Sequence, residues 1–435
     1  MLNLLKNSIS RRFRRHVFIT GLLLLKPKVL IKYYKMKMSE NRSPKDIEAI
    51  KEGLLARYLI SCYNQVEYYN NIGTREFHEY PIIQKSDILK SPEAFQPKKN
   101  FKSKAGATGG STGEPLKYIM SKGYSDLGLA MSYRAWGRGG YRLGDKIAIL
   151  AGGSLLGKKQ SLKATINNFI LNYEKYSSYG MSESLMQSYA DDMKKKNVKF
   201  LRGYPSSIAE FAEYVTRQKI QLNFSAIFTT GEMLWEERRR LIESAFCSEV
   251  FDNYGLNDGG ISASECRRHD GFHIDVERGF LEVVDLLGRP IVGEVGRVLA
   301  TSYTNYGTRF IRYDTGDLGI LDPEMCPCGS PYPLLKALKG RTNDIIRING
   351  HTIGSPMFAT LMQNMNALRF QFIQKSKSKI VAVIKPNDEY TNLNEELIRN
   401  SLFSQLGEFS LEFCYQSEAF IETDANKHKL VVSLL

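Results

Sequence analysis

Between about residues 145 and 300, short apolar runs of β type alternate with stretches whose apolar residues fall three or four apart. Residues 146–151 end in Gly152-Gly153, and 198–201 end at Gly203 and lead through Pro205 into the periodic stretch Ile208–Val215. Ala226-Ile227-Phe228 runs through Thr229-Thr230-Gly231 into a helix predicted from about Trp235 to Phe246, and Val250-Phe251 leads to Tyr254-Gly255. Strand, glycine turn and helix in repetition predict a layered α/β domain. Ligands of such sheets sit at the carboxyl ends of the strands, where these glycine turns lie. From Gly279 to Leu321 the pattern shortens to strands at 280–285, 296–301 and 309–313 around the turn Gly288-Arg289-Pro290, which reads as an antiparallel β subdomain. Beyond about residue 345, strands at 380–384 and 411–415 and a helix at 393–403 predict a small α+β domain. The expected organisation is a basic helical extension over 1–60, a large α/β domain over 61–342 and a small α+β domain over 343–435.

The extension carries its own pattern. Leu5, Ile9, Phe13, Val17, Gly21 and Leu25 recur every four residues, and Lys26, Lys28, Lys32, Lys35 and Lys37 follow. The apolar run Val17–Leu25 is too short for a bilayer span, which needs about 20 residues, and no small-residue cleavage site follows it. Two readings remain: a helix lying on an anionic membrane surface through residues 1–38, or a helix docked on the main domain. Charge sharpens the contrast, since 14 of the Lys/Arg residues but only four Asp/Glu lie in 1–60, out of a net +14 for all 435 residues. The basic character is local, and no aromatic-basic module follows it, so nucleic acid is not an expected partner. With 43% hydrophobic and 24% charged residues the composition is that of an ordinary globular chain. Six cysteines are too few for a disulfide scaffold at this length. They read as reduced thiols of a cytoplasmic protein, peripheral at the inner face of the membrane if the first reading of the extension holds.

Ala107-Thr108-Gly109-Gly110-Ser111-Thr112-Gly113-Glu114-Pro115 is the chemically richest segment. Glycines let main-chain N–H groups approach phosphate oxygens, and Thr108, Ser111 and Thr112 add hydroxyl donors. The spacing fits neither common phosphate-loop pattern. It does satisfy G-x-S-x-G, the turn presenting a hydrolase serine, with Ser111 as nucleophile and His428 as the only late histidine to serve it. The polar 102–106 before it and Pro115 after it do not suit that elbow, and an ordinary flexible Gly/Ser loop is the plain alternative.

Four further segments follow in order: Thr229-Thr230-Gly231-Glu232, Tyr254-Gly255-Leu256-Asn257-Asp258, Arg312-Tyr313-Asp314-Thr315-Gly316-Asp317, and Gly340-Arg341 through Asn349-Gly350. With the glycine loop they resemble the motif series of adenylate-forming enzymes, the acyl-coenzyme A synthetase superfamily. The phenylacetate–coenzyme A ligase family and its capsular-polysaccharide-biosynthesis relatives match best, over roughly residues 60 to 430. The resemblance implies an ATP-dependent ligase that activates a small carboxylic acid and passes it to coenzyme A or another acceptor. It implies that Thr108, Gly109, Gly110, Ser111, Thr112 and Gly113 hold the β/γ-phosphates of ATP, that Gly231 and Glu232 line the adenine, and that Tyr254, with Gly255, flanks the base. Asp317 and Arg341 would hold the ribose of ATP or AMP, Asp258 would help hold Mg²⁺, and Lys427, with Lys429 as fallback, would neutralise charge between substrate carboxylate and α-phosphate. The small domain would turn as a lid about a hinge at Asn343. Asn257-Asp258 for Thr-Glu, Asn343 at the hinge and Asn426 before the lysine depart from the pattern, which leaves a non-catalytic nucleotide-binding relative as the alternative.

Cys266, His273, Cys326 and Cys328 supply three thiolates and an imidazole, a donor set suited to structural tetrahedral zinc, and relatives of the family carry it. His269 is an alternative to His273, and unliganded thiols are the plain reading.

Overall fold

The computed structural model describes residues 11–98, 103–107, 116–152, 162–341, 345–362, 365–421 and 428–435. Helices of eight residues or more are α1 (Arg11–Leu25), α2 (Pro27–Ser39), α3 (Pro44–Gln65), α4 (Tyr124–Arg138), α5 (Leu162–Leu171), α6 (Glu183–Lys195), α7 (Pro205–Arg217), α8 (Glu236–Phe246), α9 (Ser355–Met362) and α10 (Asn392–Leu406). An antiparallel pair, β1 (Ser103–Ala107) and β2 (Lys117–Ser121), comes first. A mixed sheet of eleven strands follows: β3 (Ile147–Ala151), β4 (Tyr173–Ser177), β5 (Phe200–Gly203), β6 (Ala226–Thr230), β7 (Val250–Leu256), β8 (Ile261–Glu265), β9 (Phe272–Ile274), β10 (Phe280–Val284), β11 (Gly296–Thr301), β12 (Tyr313–Leu321) and β13 (Leu334–Arg341). Its order is β10-β11-β12-β13-β9-β8-β7-β6-β5-β3-β4. The β7-β6-β5-β3-β4 half is parallel and the rest antiparallel.

Alternation along the parallel strands explains the layers. Ala148, Leu150, Leu201, Ile227 and Val250 point to one face, where α6, α7 and α8 cover them with Met186, Ala190, Ile208, Phe211, Val215, Ile242 and Phe246. The intervening Ile147, Ile149, Phe200, Ala226, Phe228 and Phe251 point to the other face, covered by α4 and by the basic extension. Both faces are buried, as helix crossovers on a parallel sheet require. The predicted antiparallel subdomain is therefore not a separate layer; its strands extend the same sheet.

The extension contributes Phe18, Leu22, Val29, Leu30 and Met36 to that second layer, each fully buried side chain adding about 1.5–3 kcal/mol. This supports the docked reading, on an unexpected face. Phe13 and Leu25 of the four-residue series stand exposed at 58% and 56%, while Arg14, Phe18 and Leu22 go inward. Arg14 is tolerated there because its guanidinium lies 4.5 Å over the Phe169 ring and feels Glu174. Helix α3, opened by a Ser43–Asp46 capping box, runs across residue 60 and buries Tyr58 and Cys62 with Tyr69, Phe95 and Tyr313 of the large domain.

Residues 309–312 were expected as strand and are not. Arg312 adopts φ 50° and turns the chain, so the strand begins at Tyr313 and carries the motif Asp314–Asp317 within it. The C-terminal portion has a hairpin, β14 (Ile345–Ile348) with β15 (His351–Gly354), and a four-stranded sheet of β16 (Ala367–Ser376), β17 (Lys379–Pro386), β18 (Ser410–Cys414) and β19 (Val431–Ser433) in the order β18-β17-β16-β19. Helices α9 and α10 pack with it in one core.

Candidate functional site

Three motif residues separated by up to 87 positions meet where the last residue of β13 lies across from the middle of β12, with the second half of β7 beside them. Asp317 pairs in register with Arg341 across β12 and β13. The Tyr254 hydroxyl donates to Asp317 Oδ2 at 2.8 Å, and Arg341 Nε donates to Oδ1 at 2.9 Å. Each carboxylate oxygen thus spends one acceptor position and keeps another. Burial and the neighbouring Asp317 hold the Tyr254 phenol well above its ordinary pKa, so it stays a donor. Gly255, which follows, is exposed.

Asp258 lies in the turn after β7, buried, with its pKa raised because burial disfavours the anion. Tyr118 of β2 and Tyr313 of β12 flank it electrostatically, each phenol pushed up mainly by burial and further by Asp258. Arg278 fixes the preceding residue by donating to Asn257 Oδ1 at 2.9 Å, and the Tyr124 hydroxyl donates to the Asn257 carbonyl. Arg278 and Tyr124 were not anticipated in this role, because a lone arginine and a helix-start tyrosine carry no sequence signal. Trp136 and Tyr133, farther along α4, are core residues at 2% and 1% exposure, Trp136 stacking on Phe228.

Glu232 follows Gly231, whose φ of 83° makes the turn after β6. Its carboxylate caps α7: the Ser206 N–H donates to Oε2 at 3.0 Å and the Ser206 hydroxyl to Oε1 at 2.9 Å. An anion at a helix N-terminus is stabilised by the free N–H groups there. The His428 backbone N–H also donates to Oε1, at 3.1 Å, tying the C-terminal portion to the large domain. Trp235 against Phe370, centroids 5.3 Å apart, and the Lys385–Glu213 ion pair reinforce that contact. The His428 ring is itself committed: Nδ1 accepts from Arg369 Nε at 3.2 Å, so Nε2–H donates to the Phe370 carbonyl at 2.8 Å. Both ring nitrogens are thus engaged within the C-terminal portion, which does not favour His428 as the base of a serine hydrolase; Ser111 itself lies outside the described residues.

The expected loop Thr108–Gly113, hinge Asn343 and Lys427 lie outside the described residues. Their flanks are described. Register pairing of Ala107 with Lys117 brings the two ends of the glycine segment together. Thr308 and Asn305 side chains fasten β2 by accepting from the Ile119 and Ser121 N–H groups, both at 2.9 Å.

The four anticipated metal ligands converge. Donor atoms of Cys266, His273, Cys326 and Cys328 all lie within 4.8 Å of one another. Cys266 and Cys326 sulfurs are 3.9 Å apart, close to the edge of about 3.8 Å that a tetrahedron of 2.3 Å zinc–sulfur bonds implies. Cys328 Sγ lies 3.3 Å from His273 Nε2. Burial lowers His273 to about 4, keeping the imidazole neutral as ligation needs, and pushes the Cys266 thiol up to about 12. His269 is elsewhere, with Nδ1 at 3.2 Å from Glu265.

No protein-family model matches the chain. In sequence it is similar to CapK of Staphylococcus aureus, 24% identical over 371 residues, which span 81% of this chain and 78% of that protein. It is also similar to a phenylacetate-coenzyme A ligase of Thermus thermophilus, 24% identical over 333 residues, covering 70% and 72% of the two chains. Its fold matches that of a 2-hydroxyisobutyryl-CoA ligase in the postadenylation state, TM-score 0.68 at 19% identity over 91% of each chain. An amide bond synthetase, McbA from Marinactinospora thermotolerans, follows at TM-score 0.52 and 15% identity, with 75% of this chain and 66% of that one covered. Fold, ordered motifs and relatives agree: the chain has the fold of the adenylate-forming ligases and resembles phenylacetate–coenzyme A ligase and CapK in sequence.

Proposed function

We propose that the chain activates a small carboxylic acid at the expense of ATP and passes the acyl group to coenzyme A or another acceptor. The observation that carries this reading is the Tyr254–Asp317–Arg341 cluster beside buried Asp258, where three separate motifs converge on one patch of the sheet. In this reading the free acceptor positions of Asp317 take the ribose hydroxyls. The backbone of Gly231 and Glu232 lines the adenine, because the Glu232 carboxylate is already engaged with Ser206 and His428. Thr108–Gly113 cradles the β/γ-phosphates. The substrate carboxylate attacks the α-phosphorus, the bond to the bridging oxygen breaks, and pyrophosphate leaves with acyl-adenylate formed. Lys427 offsets the charge gathered between carboxylate and phosphate. Asp258 is suited to hold Mg²⁺, a hard cation that favours carboxylate oxygen and supplies charge neutralisation at the phosphates. In the second half the acceptor thiol attacks the acyl carbon, loses its proton to solvent and displaces AMP. Cys266, His273, Cys326 and Cys328 would hold a zinc in a structural role, their three thiolates and one imidazole being the donor set it favours. We place the reaction in the cytoplasm, in surface-polysaccharide assembly, following the family resemblance.

Pyrophosphate release and hydroxamate trapping over a panel of carboxylic acids test the reading. Turnover that requires ATP and one acid class is expected, falling on the order of 10²–10³-fold in Lys427→Ala. Absence of ATP-dependent pyrophosphate release with every acid, from folded protein, overturns it.

A further inference from the structure

Helices α1 and α2 each bury one side on the second face of the large sheet and turn the other outward. On α2 the outward side is apolar: Ile31, Tyr34 and Met38 fall at i, i+3 and i+7, a single stripe by helical geometry, at 55%, 47% and 68% exposure. On α1, Phe13 and Leu24 are three turns apart and share a face, and Leu23, Leu24 and Leu25 stand out together just before Pro27, Leu24 at 78%. Lys28 and Lys35 are exposed and flank the α2 stripe, about 40–60° around the helix from Ile31. Residues 11–40 hold nine basic side chains and one acidic, Glu40, which Lys37 already pairs.

An apolar surface ringed by charge of one sign has few suitable occupants. A second copy would bring its own positive rim against this one, at an electrostatic cost. A nucleic acid would satisfy the lysines and leave the leucines uncovered. An anionic lipid surface satisfies both, with apolar side chains at the acyl boundary and lysines among the headgroups. Neither helix is long and apolar enough to cross a membrane. We infer that the outward face of α1 and α2 docks the enzyme on an anionic membrane surface. The inference rests on this face alone and not on the proposed reaction.

The test is co-sedimentation of the full chain with phosphatidylcholine vesicles, with and without about one third phosphatidylglycerol, at low and high salt. Expected is binding to the anionic vesicles alone, weakening with salt. Leu24→Ser with Ile31→Ser, and separately Lys28→Glu with Lys35→Glu, are each expected to lower partitioning about tenfold or more. These exposed substitutions should leave the melting temperature unchanged, which separates lost docking from lost folding. The inference is overturned if folded protein fails to sediment with anionic vesicles or if the leucine–isoleucine variant sediments as well as the parent. It is also overturned if short duplex DNA binds regardless of that variant, or if the parent is a dimer that Leu24→Ser dissociates.

Discussion

Asp317 is the residue on which the site turns. Its two oxygens each hold a protein donor, Tyr254 on one side and Arg341 on the other, and that clamp fixes the carboxylate plane before any ligand arrives. Asp317→Asn keeps the shape and removes the charge; a hydrogen bond to a charged group contributes about 1.5–3 kcal/mol, so the KM for ATP should rise roughly 10- to 100-fold. Tyr254→Phe removes one neutral donor and should cost at most about tenfold, with folding intact. Pyrophosphate-exchange kinetics at varied ATP check both, and an unchanged KM in Asp317→Asn would refute the ribose assignment. These residues were legible because motif order survives in the linear chain whatever the distance between motifs. The second use of Glu232 was not. Its sequence position says adenine site, whereas its partners, Ser206 and His428, lie 26 residues before and 196 after it and meet it only through the packing of α7 and the C-terminal portion. Arg14 was illegible for the opposite reason: an arginine pattern reads as solvated, and its burial rests on the Phe169 ring and Glu174, which come from distant elements.

At the scale of elements, the turn into β12 shows where periodicity misleads. Phe310, Ile311 and Tyr313 are all buried and suggest a strand, but Arg312 sits between them at φ 50° and uses its guanidinium as a clasp. Nη1 donates to the His78 and Tyr80 carbonyls at 3.3 and 3.2 Å, and Nη2 to the Gly288 carbonyl at 2.7 Å. Nε is left facing Glu282 of β10 at 3.5 Å, too far for a good hydrogen bond. Glu282 is therefore a buried carboxylate with little to satisfy it, pushed up to about 7 by burial despite the pull of Arg312. An unfolded glutamate titrates near 4.3, so between that value and about 7 the folded state binds the extra proton and stability falls as pH rises. Glu282→Gln should flatten that part of the stability profile and, above pH 7, be more stable than the parent by on the order of 1–3 kcal/mol. Denaturant unfolding of both proteins from pH 4.5 to 8 reads the difference. Asp252, also raised to about 7 by burial, contributes the same sign to both proteins and cancels in the comparison.

For the whole molecule, the sheet has two halves of different character, and the Cys/His cluster sits where the antiparallel half folds back. Cys266 closes β8, His273 is on β9, and Cys326 and Cys328 belong to the segment leading into β13, which pairs with β9 through only Leu334–His273 and Leu335–Phe272. On its other edge β13 pairs with β12 over five registered positions, Asp317–Arg341 among them, so the β9 side is the thinner of its two ladders. A zinc bound by all four donors would cross-link three segments that span more than 60 residues of chain, at the junction where hydrogen bonding is thinnest. The purified protein should therefore contain one zinc per chain. Cys266→Ser, or exhaustive chelation, should remove it and lower the melting temperature by on the order of 5–10 °C for a domain of this size. The cluster shares no hydrogen bond with Tyr254, Asp317 or Arg341 among the described residues, so below the new melting temperature the KM for ATP should stay within about twofold of the parent. A catalytic metal would give the reverse pattern, with activity lost before stability. Elemental analysis, melting curves and ATP kinetics on the same preparations separate the two, and a zinc-free protein whose Cys266→Ser variant melts with the parent would leave the cluster as four packed side chains.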